Sequence, residues 1–225
     1  DNFKPEIFLD SGSGNILKDL GFSKKITHFT KDKLKQYIEK DFKKISKNII
    51  DFSNKFKIEN LVLIDYAGKN TYKKKEKHNE IYNEVKKEFI TDFNKQSSLL
   101  IESINHLKNQ KKSFNALVPI HGKTIEDYHN YYLKIRDLEN KEKYEFDRFA
   151  LGGLSTFRKG NDIAKIINFI RSKNDNRIIH ILGSSGLDKL FSLIYSGADS
   201  FDCHSPWRRA SDGQPKFLIP LLNSN

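Results

Sequence analysis

Three aspartates in this 225-residue chain directly follow short apolar runs: Asp10 after Ile7-Phe8-Leu9, Asp65 after Leu61-Val62-Leu63-Ile64, and Asp202 after Ser200-Phe201. One aspartate at the end of a buried strand is often a structural cap; three are harder to dismiss. Two carboxylates facing a sugar carbon can act as nucleophile and acid/base in a retaining displacement at a glycosidic bond. The pair needs unlike environments, so that one carboxyl is ionised while the other exchanges a proton. Other chemistries find less support. Gly12 and Gly14 begin a dinucleotide fingerprint, but Leu17 stands where the third glycine belongs, and no well-placed acidic residue follows a second strand. A nicotinamide cofactor is therefore not expected. The seven histidines are scattered, and Cys203 and His204 are adjacent rather than spaced as a ligand pair, so no metal site is expected. Sequence order alone picks out no Ser/His/Asp set.

The elements that must position these residues are short apolar runs alternating with segments of helical period. To the three runs above are added Ala116-Leu117-Val118, Phe149-Ala150-Leu151 and Ile178-Ile179-His180-Ile181-Leu182, all reading as buried strands. Between them lie four apolar stripes at three- and four-residue spacing: Leu34, Ile38, Phe42, Ile45 and Ile49; Ile81, Val85 and Phe89; Ile163, Ile166, Ile167 and Ile170; and Leu187, Leu190, Phe191 and Ile194. These are read as core packing. Strand and helix in alternation predict a parallel sheet, either an open doubly wound sheet or a barrel. Polar or glycine residues stand at nearly every strand exit: Asp10-Ser11-Gly12, Asp65, His121-Gly122, Gly152-Gly153, Gly183-Ser184-Ser185 and Asp202-Cys203. A (β/α)₈ barrel gathers all such exits on one catalytic face, whereas an open sheet gathers only a few, so the barrel is the expected fold. The stretch 69–113 is too long for a plain connection. It opens with Lys73-Lys74-Lys75, continues as a long helix, and is read as a helical insertion with a solvated charged face.

Composition bounds the rest. The length suits one domain, 1–225, with a real core. One cysteine excludes a disulfide framework within the chain and points to a reducing, cytoplasmic setting. No apolar run reaches membrane-spanning length, and the first residues are not a signal peptide. The chain contains no methionine, and is read as a piece of a longer polypeptide. The formal charge of +11 fits a nucleic-acid partner, but 33 lysines against 7 arginines also fit the drift of an AT-rich genome. The two explanations stand at even weight, since basic charge alone supports only non-specific binding.

The segment Ser200-Phe201-Asp202-Cys203-His204-Ser205-Pro206-Trp207-Arg208-Arg209-Ala210 resembles the nucleophile segment of the tRNA-guanine transglycosylase superfamily, where Phe-Asp-Cys precedes a proline and an arginine. Leu9-Asp10-Ser11-Gly12 resembles the family's Asp-Ser-Gly-Gly segment, Gly152-Gly153-Leu154-Ser155 its Gly-Gly-Leu base-binding loop, and Ile181-Leu182-Gly183 its next strand. The resemblance runs through nearly the whole chain in order. It implies a TIM-type α/β barrel of which six of eight strands are present, the first two lying upstream of residue 1. It also implies Asp202 as nucleophile and Asp10 as second catalytic aspartate. Asp65, His121, Gly122, Gly152, Gly153 and Leu154 would bind a guanine-like base; Ser11, Trp207, Arg208 and Arg209 would hold the nucleic acid.

The departures from the family pattern are specific. Asp-Ser-Gly is followed by Ser13 and Gly14 rather than Gly-Phe-Gln or Gly-Tyr-Gln, Ile120-His121-Gly122 stands for Val-Gln-Gly, and Trp207-Arg208-Arg209 replaces a simpler Thr-Arg. No cofactor is expected in this chain, and the family's structural zinc, held by three cysteines and a histidine, would belong to a segment beyond residue 225. These departures resemble the DpdA branch, which places 7-deazaguanines into DNA. The expected activity is exchange of guanine in DNA for a 7-deazaguanine. The alternatives are the same exchange on tRNA, a non-catalytic subunit that only binds nucleic acid, or a barrel with unrelated small-molecule chemistry.

Overall fold

The computed structural model describes residues 7–11, 16, 28–66, 80–154, 157, 160–183 and 187–202. Gly12, Gly14, Leu17, Lys73-Lys74-Lys75, Ser155, Ser184-Ser185, Cys203, His204, Trp207, Arg208 and Arg209 lie outside these residues. The fold class is α/β. Six parallel strands alternate with helices in chain order, the pattern of an incomplete (β/α)₈ barrel. All six expected strands are found: β1 (Phe8–Leu9), β2 (Asn60–Val62), β3 (Asn115–Ile120), β4 (Arg148–Leu151), β5 (Ile178–Ile181) and β6 (Ser200–Phe201). The described helices are α1 (Lys31–Lys55), α2 (Glu80–Thr91), α3 (Phe93–Lys108), α4 (Ile125–Glu142), α5 (Gly160–Ser172) and α6 (Leu187–Tyr195). None of them is long and apolar enough to cross a membrane. The chain divides into two compact units, Asp1–Pro119 with Lys134–Asp147, and Ile120–Leu133 with Arg148–Asn225.

In the first unit, β1 pairs with β2 through Phe8 to Asn60 and Leu9 to Leu61, and β2 with β3 through Leu61 to Ala116 and Val62 to Leu117. Helix α1 starts where the Thr30 hydroxyl accepts the Lys33 N–H, with Asp32 in the first turn and Lys55 in the last. Those placements favour a helix through capping and the dipole. Its buried row is Leu34, Ile38, Phe42, Ser46 and Ile50, a strict four-residue line. The expected Ile45 and Ile49 flank that line half-buried, because a four-residue step on a 3.6-residue helix drifts around the axis. Ser46 is tolerated in the core because its hydroxyl bonds that of Ser103 on α3 at 2.7 Å.

The stretch read as one long helix is two, α2 and α3. The break is Asp92, whose side chain accepts the Asn94 N–H at 2.8 Å and caps the second helix. On α2 the buried face is Tyr82, Val85 and Phe89, and Ile81 is exposed. The 82-85-89 line follows the helical period more closely than 81-85-89, and tyrosine brings the larger apolar body.

In the second unit, β4 pairs with β5 from Arg148–Ile178 to Leu151–Ile181, and β5 with β6 through His180–Ser200 and Ile181–Phe201. Helix α5 buries all four expected isoleucines, Ile163, Ile166, Ile167 and Ile170. Helix α6 departs from expectation: Leu193 is buried, while Phe191 and Ile194 are 60% and 53% exposed. The side chains of the expected Leu187 and Leu190 lie outside the described ones, and in a nine-residue helix with a wide apolar arc the sequence pattern does not single out one face.

Candidate active site

Parallel strands in register end on the same edge. In the first unit that edge carries Asp10 and Ser11 after β1 and Asp65 beyond β2; Asp10 is exposed, Ser11 and Asp65 are buried. What holds Asp65 is its neighbour. The Tyr66 ring is fully buried, 4.7 Å from the rings of both Phe42 and Phe89. The Gln96 amide oxygen accepts the Tyr66 N–H at 3.0 Å, and its nitrogen donates to the carbonyls of Tyr66 and Phe89. One buried glutamine thus satisfies both backbone groups of Tyr66 and ties them to a carbonyl of α2. Burial raises the Tyr66 hydroxyl far above its ordinary value, so it remains neutral.

In the second unit the strand exits carry His121-Gly122 after β3, Gly152-Gly153 after β4, Gly183 beyond β5 and Asp202 after β6. The first two exits form one cluster. A methyl group at Gly152 would lie 2.1 Å from Cε1 of His121, so only glycine lets the backbone reach the imidazole. The Tyr128 hydroxyl on α4 donates to the Gly152 carbonyl, and its ring would be 2.5 Å from a Cβ at Gly122. Gly153 follows at φ 74°, in the left-handed region, which turns the chain sharply out of the strand. Leu154 is buried. Burial pushes the Tyr128 hydroxyl well above the usual tyrosine range, against a smaller opposing effect of the Gly122 backbone, and so keeps it a donor. Helix α4 fixes Tyr128 through a box at its start: the Thr124 hydroxyl accepts the Asp127 N–H at 3.2 Å, and Asp127 accepts the N–H groups of Lys123 and Thr124. Partial burial would raise the Asp127 carboxyl, but those two backbone donors hold it below the ordinary range.

Asp202 is exposed at the end of β6. Its N–H donates to the Ile181 carbonyl at 3.0 Å, and its Oδ1 accepts the Gly183 N–H. One carboxylate oxygen is thereby fixed by a charge-assisted bond, leaving Oδ2 for other work. Beneath it, Ser200 Oγ and His180 Nδ1 stand 2.8 Å apart, with His180 buried.

Gln96, Tyr128 and the His180–Ser200 pair were not among the candidates named from sequence. Tyr128 lies 24 residues from the Gly152 carbonyl it binds and Gln96 30 residues from Tyr66, and no local spacing marks them. The expected nucleic-acid contacts Trp207, Arg208 and Arg209 lie outside the described residues. Among the described residues, no group of three or more His, Cys, Asp or Glu side chains could hold a metal ion.

Residues 3–215 match the model of the family described as queuine tRNA-ribosyltransferase. The queuine tRNA-ribosyltransferase of Marinobacter nauticus is 32% identical over 85 residues, which is 36% of this chain and 23% of that protein. That of Francisella tularensis subsp. novicida is 29% identical over 97 residues, 41% of this chain and 26% of that protein. The matched part thus spans about a quarter of the length of these curated relatives.

Proposed function

This chain belongs to the queuine tRNA-ribosyltransferase family, and we propose that it exchanges a guanine base in a nucleic acid for a 7-deazaguanine through a covalent aspartyl–sugar intermediate. The observation that carries the reading is the character of the strand exits. Asp10, Asp65 and Asp202, and the glycine pair Gly152-Gly153, all stand beyond the carboxyl ends of parallel strands, where barrel enzymes place their chemistry.

The target nucleoside is first taken out of its stack. Asp202 Oδ2 attacks C1′; the C1′–N9 bond breaks, and guanine leaves with a proton from Asp10. The 7-deazaguanine gives its N9 proton to Asp10 and attacks C1′, releasing the Asp202 carboxylate. Two inversions restore the original configuration. Asp65 accepts hydrogen bonds from the donor edge of the base. The backbone of Gly152-Gly153-Leu154 approaches the same base, and His121, in the place where the family usually has glutamine, offers a donor or an acceptor according to its tautomer. Gly122 leaves room for Tyr128. Ser11, Trp207, Arg208 and Arg209 hold and stack on the polymer, and the reaction is cytoplasmic.

The finer reading is a DpdA-like preference for DNA, motivated by His121 and by Trp207-Arg208-Arg209. The same exchange on tRNA is favoured by the names of the relatives. One experiment tests both levels. The complete polypeptide receives labelled guanine with equal amounts of duplex DNA and tRNA at one salt concentration. Asp202→Asn is expected to lower incorporation at least ~10³-fold while leaving binding intact, because the amide removes only the nucleophile. Undiminished exchange in that variant would remove Asp202 from its role. Label in tRNA alone would overturn the DNA preference and leave the transglycosylase standing.

A further inference from the structure

Away from the strand exits, the outward face of α1 carries a concentration of positive charge. Gln36, Lys40, Lys43, Lys44 and Lys47 line one open groove together with Glu39 and, from α3, Glu102. Positions 36, 40, 43, 44 and 47 follow three- and four-residue steps, so they share one face of the helix, away from the buried row. The carboxylates of the groove are already engaged: Glu102 with Lys47 at 2.8 Å, and Glu39 with Lys95. The other lysines of α1 are engaged too: Lys31 with Glu84 at 2.6 Å and Lys35 with Glu88 at 2.8 Å, while Lys33 and Lys55 lie over the rings of Phe29 and Phe56. Lys40, Lys43 and Lys44 have neither kind of contact with the described residues, and Glu102 acts on Lys43 only at longer range. Among the described residues, no carboxylate lies within ion-pairing distance of any of them.

We propose that this face of α1 docks the phosphodiester backbone of a nucleic acid, as a contact separate from the base-exchange site. The groove holds four lysines against two carboxylates, one of them also shared with Lys95, and that positive excess draws a polyanion or counterions over it. From residue 40 to 47 the helix rises ~10 Å, a span that meets about three phosphates at one charge per ~3.4 Å of a strand. Lysine suits such a role because its point charge accepts phosphates in many orientations and reads no sequence. Concavity and the Gln36 amide favour a backbone lying along the groove over a flat anionic surface. That the polymer is a nucleic acid rests on the function proposed above.

The test is the salt dependence of binding. The triple variant Lys40→Ala/Lys43→Ala/Lys44→Ala keeps good helix formers at all three positions. A charge-matched control, Lys111→Ala/Lys141→Ala/Lys173→Ala, removes the same net charge from exposed lysines elsewhere. Both are made in the complete polypeptide, and binding to labelled duplex DNA and to tRNA is followed from about 0.05 to about 0.2 M salt. The α1 variant is expected to bind at least ~10-fold more weakly at the lowest salt, and to lose about 2–3 from the slope of log K against log salt. The control should lose much less of either. Equal losses in both variants would reduce the effect to net charge and overturn the proposal, as would an unchanged slope. Vesicles rich in anionic lipid form a further arm; tighter α1-dependent binding to them than to either nucleic acid would also overturn it. If wild-type protein exchanges no base but the α1 variant still loses slope, the catalytic reading fails and the docking face stands. Intact exchange with an unchanged slope gives the reverse.

Discussion

The two units hold their candidate site residues by different means. In the first, Asp65 is carried by a segment whose position comes from side chains: Tyr66 wedged against Phe42 and Phe89, and Gln96 binding three backbone groups. In the second, the backbone itself is the contact, with Gly152 pressed on His121 and its carbonyl held by Tyr128. A residue fixed by a deep side-chain cluster can lose one support and keep its place. A residue fixed by the absence of a Cβ has no such reserve, since any side chain must displace its neighbour.

That contrast can be broken experimentally. The largest effect is expected for Gly152→Ala, whose methyl overlaps the His121 ring. It should cost about 2 kcal/mol of stability and lower base exchange ~10²-fold, as small misplacements at reacting centres do. Denaturant titration and single-turnover exchange measure the two losses. Gln96→Leu should follow. It leaves the Tyr66 N–H without its acceptor at a cost of about 2 kcal/mol, but should raise KM for the base more than it lowers kcat, since it touches nothing at Asp202. If Gln96→Leu slowed exchange as much as Gly152→Ala, the two units would not differ in the way described.

The smallest effect concerns a polar seam of the first unit. Asp51 is held below the ordinary carboxylate range, first by the Gln110 amide and then by His106 at 2.8 Å. A carboxyl lowered on folding adds stability above its unfolded value of about 4, and that contribution disappears as pH falls through the lower folded value. Asp51 is more than half exposed, so screening leaves little: Asp51→Asn should lower Tm by about 1–2 °C at neutral pH. Near pH 2 the two proteins should melt together. A gap that persisted there would show that the aspartate acts through shape rather than charge.

Much of this was legible in the sequence because it is local. An apolar run followed by Asp10, Asp65, Gly152 or Asp202 states strand and exit together, and all six strands fall where such runs occur. The stripe of α5 was legible because four isoleucines leave one choice of face. On α6 the same reasoning chose Phe191 and Ile194, which are exposed, because the apolar residues there span a wide arc that leaves more than one choice of face. The break at Asp92 was missed because periodicity runs through it; the signal was an N-cap residue inside an otherwise helical stretch. Gln96 and Tyr128 were not legible at all. Their work is to satisfy distant backbone groups, and that demand exists only once the chain has folded.

One bracket in the second unit bears on Asp202 from afar. Arg171, at the end of α5, donates to the carbonyls of Asp175, Arg177 and Gly197 and to the Asp199 carboxylate, whose Oδ2 also accepts the Ile179 N–H. Strand β6 has only two residues, too few to specify its own alignment. A slip of one place would turn Phe201 to where Asp202 belongs and send the carboxylate to the opposite side of the sheet. Besides the bonds of Asp202 and the His180–Ser200 pair, an anchor against that slip is the guanidinium at the far end, binding the residue just before the strand. Lysine has no planar fork to reach four acceptors at once. In a chain with nearly five lysines to each arginine, replacing Arg171 by lysine would loosen that alignment without touching Asp202 or any other candidate site residue.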